Sequence, residues 1–354
     1  MTVEQVRDLI LARVRALDVE HVGLLDALGR VLARDVTSDV DVPPFDSSTR
    51  DGYAVRAGEP ATAGGDAPAE LRVVERVAAG VVPARAVGPG EAARVMTGAP
   101  LPAGADAVVM MERATVLEGD GGEGSRVRLS HAASPGEHVR RRGAEIRAGD
   151  VALPAGGVIG PADVGRLASA GHVTVPVHSR PRVAVIATGT ELVEADERPG
   201  PGKIRNSNAY AVAAQVVAAG GVPLRFPIVP DDPEATRAAL ERAACEADVI
   251  VTTGGVSAGD HDCVRPVLEE HGDLVGREAA MHPGSRQVVG FFRGVPCFGL
   301  PGNPAGAHLG FELFVRPALR RMQGHAAPER PRVEARPVQD LSRQGLDMEE
   351  GIPR

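Results

Sequence analysis

Asp248-Val-Ile-Val-Thr252, running into Thr253-Gly-Gly-Val-Ser-Ala-Gly-Asp260, is a short apolar, β-branched run that ends in paired glycines. Such a run reads as a parallel strand buried on both faces, with the glycines forming the turn at its carboxyl end. Two other stretches share this pattern. Arg182-Val-Ala-Val-Ile-Ala187 runs into Thr188-Gly-Thr-Glu191, and Val295-Pro-Cys-Phe-Gly-Leu300 runs into Pro301-Gly-Asn-Pro304. Helix-like segments, Asn208 to Ala219 and Pro233 to Glu246, lie between them, so β and α alternate. The expected core is a doubly wound, mostly parallel α/β sheet. Ligands of such sheets sit beyond the carboxyl ends of the strands, where all three loops fall.

The loops predict an anion site. Gly254 and Gly255 let the backbone approach a ligand and turn N–H groups toward it. Ser257 adds a hydroxyl, and a helix starting near Asp262 would aim its positive end at an anion. Pro301 to Pro304 forms a second tight turn, with a long helix expected from Ala305 to Met322. Glu191, Asp231, Asp260 and Asp262 stand around these loops. Carboxylates beside an anion cradle suggest a bridging Mg²⁺. Taken singly, Asp231 ahead of Pro233, and Asp260 or Asp262 ahead of the next helix, read first as helix caps, whereas as a group the carboxylates read first as metal or substrate ligands.

The 354 residues suffice for two or three domains. Aromatics make up only 3% and Trp is absent, so cores must be built from Ala, Val and Leu. The net charge of −8 argues against nucleic acid or an anionic membrane as partner. No apolar run reaches the length of a membrane span. Cys245, Cys263 and Cys297 fit no metal spacing, which points to a reducing cytosol and to small buried hydrophobes. The histidines show no metal-ligand spacing, and no nucleophile elbow is present.

Thr2 and Gln5 predict a capping box, followed by Val6, Ile10, Val14 and Leu17 at helical spacing. A second short helix is expected over Gly23 to Leu32. Pro43-Pro44 opens a region of short strands and glycine turns that extends to about Arg142, an inserted β domain. Asp51-Gly52 and Thr97-Gly98 fall at its turns, where both side chains could simply bond their own loops. Arg140-Arg-Arg142 reads as a solvated basic face. Pro161 starts a helix, and Val173 to Val177 leads into the core. The expected domains are 1–42 with 143–175, 43–142, 176–325 and 326–354. The final stretch, Leu341 to Arg354, loses apolar alternation and reads as a disordered tail or truncated β domain.

Thr188-Gly-Thr-Glu191, Asn206-Ser-Asn208, Thr253-Gly-Gly-Val-Ser257 with Gly259-Asp260, and Pro301-Gly-Asn-Pro304 together resemble the molybdopterin-binding fold of molybdenum-cofactor biosynthesis. Two upstream motifs are Pro43-Pro-Phe-Asp-Ser-Ser-Thr-Arg-Asp-Gly-Tyr-Ala-Val55 and Met96-Thr-Gly-Ala-Pro-Leu-Pro-Ala-Gly-Ala-Asp-Ala-Val-Val109. They are similar to the molybdenum-insertion family, the molybdopterin molybdenumtransferases and gephyrin E-domain relatives. The resemblance implies a cytoplasmic, Mg²⁺-dependent transferase that inserts molybdate into adenylylated molybdopterin and releases AMP. It implies substrate contacts at Thr188, Gly189, Ser207, Asn208, Gly254, Gly255, Ser257, Asp260, Pro301, Gly302 and Asn303. Catalytic roles would fall to Asp51, Thr97, Glu145, Glu191, Asp231 and Asp262, with Glu191, Asp231 and Asp262 organising the metal. A homodimer is implied, in which Asp51 and Thr97 face the partner's site, as is contact with a molybdopterin adenylyltransferase.

The chain departs from that family where lysines are usual in Gly276-Arg-Glu-Ala-Ala-Met-His-Pro-Gly-Ser-Arg286. Glu278, His282 and Ser285 occupy those positions, and Arg277, His282 and Arg286 are the cations available to molybdate. The substitutions support an alternative, a relative that binds or channels the cofactor without inserting metal. A stand-alone adenylyltransferase is disfavoured by the long stretch that precedes the core.

Overall fold

The computed structural model describes residues 1–58, 69–256, 262–331, 348–349 and 352–353. The chain forms two compact units. One comprises Met1–Arg34, Ala155–Gly160 and Thr174–Arg354; the other comprises Asp35–Pro154 and Pro161–Val173.

The first unit is built on a six-stranded sheet in the order Val222–Arg225, Arg182–Ala187, Val249–Thr253, Val295–Leu300, Arg286–Phe292, Asp273–Glu278. The first four strands run parallel, and the last two are antiparallel. Alternate side chains of one strand feed opposite faces. Val183 and Val185 join a cluster with Val6, Ile10, Val212, Phe298, Phe311 and Leu319. Ala184 and Ile186 join Leu240, Val264 and Leu268 on the other face. Helices therefore cover both faces, which explains why the strands read as unbroken apolar runs. Cys297 is fully buried in this sheet, and burial pushes its thiol up to about 12.

Several expected elements take other forms. The capping box of Thr2 and Gln5 is present, but the first helix spans Val3–Arg13 and Val14 is already extended. The Leu17 N–H is engaged by the Met322 carbonyl at 2.8 Å, so Leu17 packs from outside the helix. Gly23 to Leu32 is no helix. A single turn closes with Ala27 N–H to Gly23 O at 3.0 Å, and Gly29 at φ +76° redirects the chain. Arg30 then binds Glu20 and the His178 carbonyl. The long terminal helix is three segments, Pro304–Gly310, a π-helical turn Phe311–Val315, and Arg316–Met322. The Asp273–Glu278 and Arg286–Phe292 strands pair antiparallel, an addition to the parallel sheet that the strand pattern does not signal.

The second unit carries a six-stranded sheet in the order Ala107–Met110, Gly52–Val55, Glu91–Val95, Ala69–Val77, Arg126–Leu129, Ala114–Glu118. Tyr53, Val55, Val73, Val109 and Val127 form one of its cores. Gly52 is required at its place: a Cβ there would lie 2.1 Å from the Val109 carbonyl oxygen. The Pro161–Ser169 helix belongs to this unit. Among residues 341–354, only the short pair Met348–Glu349 and Ile352–Pro353 is described; the rest of the predicted tail lies outside the described residues.

Candidate active site

The three strand-end loops meet. Thr188 N–H donates to the Thr253 carbonyl at 3.0 Å, and Gly254 N–H donates to the Leu300 carbonyl at 3.0 Å. The Gly189 N–H reaches the Val229 carbonyl at 3.0 Å, drawing in the segment that carries Asp231. Between these loops lies a hollow of about 410 Å³ lined by Gly254, Gly255, Pro301 and Gly302, with Glu191, Asp231, Asp262 and Arg286 around it. A smaller recess of about 110 Å³ shares Thr188, Glu191, Gly254 and Gly302 with the hollow, and is also lined by Asn206, Ser207 and Asn208.

The glycines do more than admit a ligand. Gly254 has φ +92° and Gly255 φ +65°. A Cβ on Gly254 would lie 2.5 Å from the Thr188 carbonyl oxygen, and one on Gly255 would lie 2.9 Å from Thr188 Oγ1 and 3.0 Å from Val264. They let two loops close on each other as well as on a ligand. Asn208 Nδ2 donates to the Gly302 carbonyl at 2.8 Å, joining the recess to the Pro301–Asn303 turn. Asn303 is spent on its own helix, its Oδ1 accepting from Ala305 N–H at 2.9 Å as a cap.

The structure separates caps from site carboxylates. The cap of the Pro233–Glu246 helix is Asp232, which accepts from Ala235 N–H at 2.7 Å. Asp231 is thereby left to the hollow. Its Oδ2 accepts from Thr190 N–H at 2.9 Å, and its own N–H donates to Thr190 Oγ1 at 3.2 Å. The Val264–His271 helix begins after Cys263, whose side chain makes no cap bond, and Asp262 just ahead of it lines the hollow. Burial raises the Cys263 thiol, and Asp231, Asp232 and Asp262 raise it further, which marks where their negative charge converges. Glu191 folds back over Gly189, where a Cβ would lie 2.3 Å from its Oε2.

The predicted cations divide. Arg286 lines the hollow. Arg277 pairs with Glu269 at 3.4 Å and, with Glu278, lines a different depression of about 470 Å³. Glu278 is nevertheless the cross-strand neighbour of Arg286. His282 is exposed in the turn that joins the two strands. Ser257 and Asp260 lie outside the described residues. The second unit holds the others. Asp51 Oδ1 accepts from Thr97 N–H at 2.7 Å and Thr97 Oγ1 at 2.8 Å, and these bonds, the N–H first, hold its carboxyl below the usual range. Glu145 pairs with Arg140, so part of the basic run that reads as solvated is neutralised locally.

Sequence reasoning missed Thr190, Gln287 and Lys203. Lys203 donates its Nζ to the Thr190 carbonyl. It is the only lysine in the sequence, a signal that could have singled it out.

A parallel-to-antiparallel sheet with glycine loops and carboxylates gathered beyond the carboxyl ends of its parallel strands defines a ligand-binding α/β domain. The family described as "Probable molybdopterin binding domain" matches residues 184–321, and the "MoeA N-terminal region (domain I and II)" matches residues 1–171. The chain is 41% identical to the molybdopterin molybdenumtransferase of Bacillus subtilis over 304 residues, 86% of this chain and 70% of that protein. It is 39% identical to molybdopterin molybdenumtransferase 2 of Mycobacterium tuberculosis over 336 residues, 93% of this chain and 82% of that protein. The molybdopterin biosynthesis moeA protein of Pyrococcus horikoshii superposes with a TM-score of 0.78 at 32% identity, covering 93% of this chain and 80% of that one. The chain belongs to the molybdopterin molybdenumtransferase family, transferases of molybdenum-cofactor biosynthesis. Among the described residues, no helix is long and apolar enough to cross a membrane.

Proposed function

We propose that this chain inserts molybdate into adenylylated molybdopterin with release of AMP, in a Mg²⁺-dependent reaction in the cytoplasm. The observation that carries the reading is one hollow bordered by Gly254, Gly255, Pro301 and Gly302 and faced by Glu191, Asp231, Asp262 and Arg286. Backbone at Gly254 and Gly255 would cradle the phosphates, and the recess at Ser207 and Asn208 would take part of the pterin or nucleoside. Arg286 would attract the molybdate dianion, since a guanidinium matches oxyanion geometry.

Mg²⁺ keeps several waters and is held through one or two carboxylates plus substrate phosphates rather than in an all-protein cage. The donor set fits that mode. Carboxylates line the hollow, yet among the described residues no group of three His, Cys, Asp or Glu is arranged as a metal cage. One or two of Glu191, Asp231 and Asp262 would hold the ion together with substrate phosphate oxygens, and a bound Mg²⁺ would supply positive charge for the leaving AMP. The protein's own part is positional: Thr190 fixes Asp231, and Lys203 fixes Thr190.

A homodimer, with Asp51 and Thr97 serving the partner's site, and transfer of substrate from a molybdopterin adenylyltransferase complete the reading. Glu278, His282 and Ser285 favour the second reading, a cofactor carrier that inserts no metal. Incubating the protein with adenylylated molybdopterin, Mg²⁺ and molybdate and following AMP release separates the two. A carrier binds the compound and releases no molybdate-dependent AMP.

A further inference from the structure

Gln287 stands next to Arg286 on the Arg286–Phe292 strand and is 2% exposed. Its Nε2 donates to the Gly284 carbonyl at 2.9 Å and lies 3.2 Å from Met281 Sδ. Its Oε1 is buried with no hydrogen-bond partner among the described residues. The side chain fills a notch in the Pro304–Gly310 helix: a Cβ on Gly310 would lie 2.4 Å from Oε1. Gly284 sits on the same helix, where its Cβ would lie 3.0 Å from Gly306 Cα, and a Cβ on Gly306 would lie 3.2 Å from Pro301. A continuous line of contact thus runs from the Gln287 amide through Gly284 and Gly306 to Pro301 at the hollow.

An apolar side chain of the same volume would fill this place without an orphaned oxygen, and burying such an oxygen costs free energy. The amide orientation is dictated by the Gly284 carbonyl, which only the NH₂ end can satisfy. The polar group is therefore explained by what it holds. The turn from Ala279 to Arg286 is otherwise closed by Ala279 N–H to Ser285 O at 2.9 Å and tied by Ala280 N–H to Met1 O at 2.9 Å.

We propose that Gln287 is a positioning residue. By pinning Gly284 and Met281 to the Pro304–Gly310 helix, it keeps the turn that presents Arg286 at the hollow, and so sets the affinity for the oxyanion substrate. The affinity part rests on the insertion reading above; the pinning part does not.

The test uses Gln287→Met, a near-isostere that keeps the packing and loses the Nε2 donor. Its thermal midpoint should equal or exceed the parent's. Backbone hydrogen exchange across residues 280–286 should quicken about tenfold, since a bond of about 1.4 kcal/mol corresponds to that factor. Half-saturating molybdate in AMP release should rise by a similar factor, with the saturated rate within about twofold. Unchanged exchange overturns the proposal, as does a fall in saturated rate with half-saturation unmoved. If Gln287→Met does not fold, Gly310→Ala displaces the same amide from the helix side and must give the same exchange and half-saturation pattern. A parent without molybdate-dependent AMP release contradicts insertion alone, because the exchange measurement still decides the pinning.

Discussion

Gly254 and Thr188 approach so closely that a methyl group on Gly254 would lie 2.5 Å from the Thr188 carbonyl oxygen. The contact joins the loops that follow two neighbouring strands, Arg182–Ala187 and Val249–Thr253. Gly254→Ala should therefore destabilise the protein by about 2–5 kcal/mol, from left-handed strain and overpacking together. Gly302→Ala is the contrast, since among the described residues its Cβ would meet only Gly254 Cα, at 3.9 Å. It should leave stability within about 0.5 kcal/mol while weakening binding of the substrate, because it adds bulk to the hollow. Urea unfolding and substrate titration of both variants check this. Equal stability of the two would contradict the loop contact.

Asp231 and Asp232 are adjacent, with different tasks. Asp232→Ala removes the cap on Pro233–Glu246 and should cost about 1 kcal/mol of stability, with AMP release near normal. Asp231→Asn can still accept from Thr190 and should keep stability within about 1 kcal/mol, while AMP release falls at least about tenfold, as expected for a lost charge at a site. Reversed phenotypes would exchange the two assignments.

The sheet was legible in the sequence because strands buried on both faces leave little choice of side chain, as in Val183 to Ala187. The meeting of the loops was legible from their shared place after parallel strands. The apolar spacing from Gly23 to Leu32 imitates a helix, while Gly29 and the Arg30 bonds to Glu20 and His178 decide the backbone. The sequence does point to the cap, since Pro233 at the first helical position makes its immediate predecessor Asp232, not Asp231, the N-cap. The Thr190 bonds that hold Asp231, by contrast, depend on a loop distant in sequence. The separation of Arg277 from Arg286 depends on the Asp273–Glu278 strand and on Glu269, neither of which announces itself near the motif.

His325 gives a pH signature. It is 4% exposed, and burial first, then Arg320 and Arg316, lower its pKa to about 4. The unfolded chain takes up this proton near pH 6.5 and the folded protein only near 4. Stability should therefore fall as pH drops through that window, with a slope approaching about 1.4 kcal/mol per pH unit. In His325→Gln this contribution should vanish. Unfolding curves across the window check it, and identical slopes in both proteins would contradict it.

Asp51 should titrate below an ordinary aspartate because Thr97 holds its charged form. With the folded pKa depressed, this contribution is present above the unfolded value and is lost as pH falls through the folded one. Thr97→Val removes the hydroxyl and keeps the N–H, so the Asp51 carboxyl signal in carbon NMR should titrate at higher pH, part of the way to the ordinary range. No movement would contradict the bond.

The proposed dimer with composite sites predicts complementation. Mixing equal amounts of Asp51→Ala and Asp262→Ala proteins under random subunit exchange should restore about a quarter of the parent's AMP release, since half the dimers are hybrids and one site in each regains both residues. No recovery would remove the dimeric arrangement.

Molybdate-dependent release of AMP from adenylylated molybdopterin, followed in the parent and in Arg286→Ala, tests the central claim most directly. The parent should release AMP only when Mg²⁺ and molybdate are both present. Arg286→Ala should need about tenfold more molybdate for half-saturation, the loss expected of one charge-assisted contact. Tight binding of the compound by the parent, with no AMP released at any molybdate concentration, would contradict insertion.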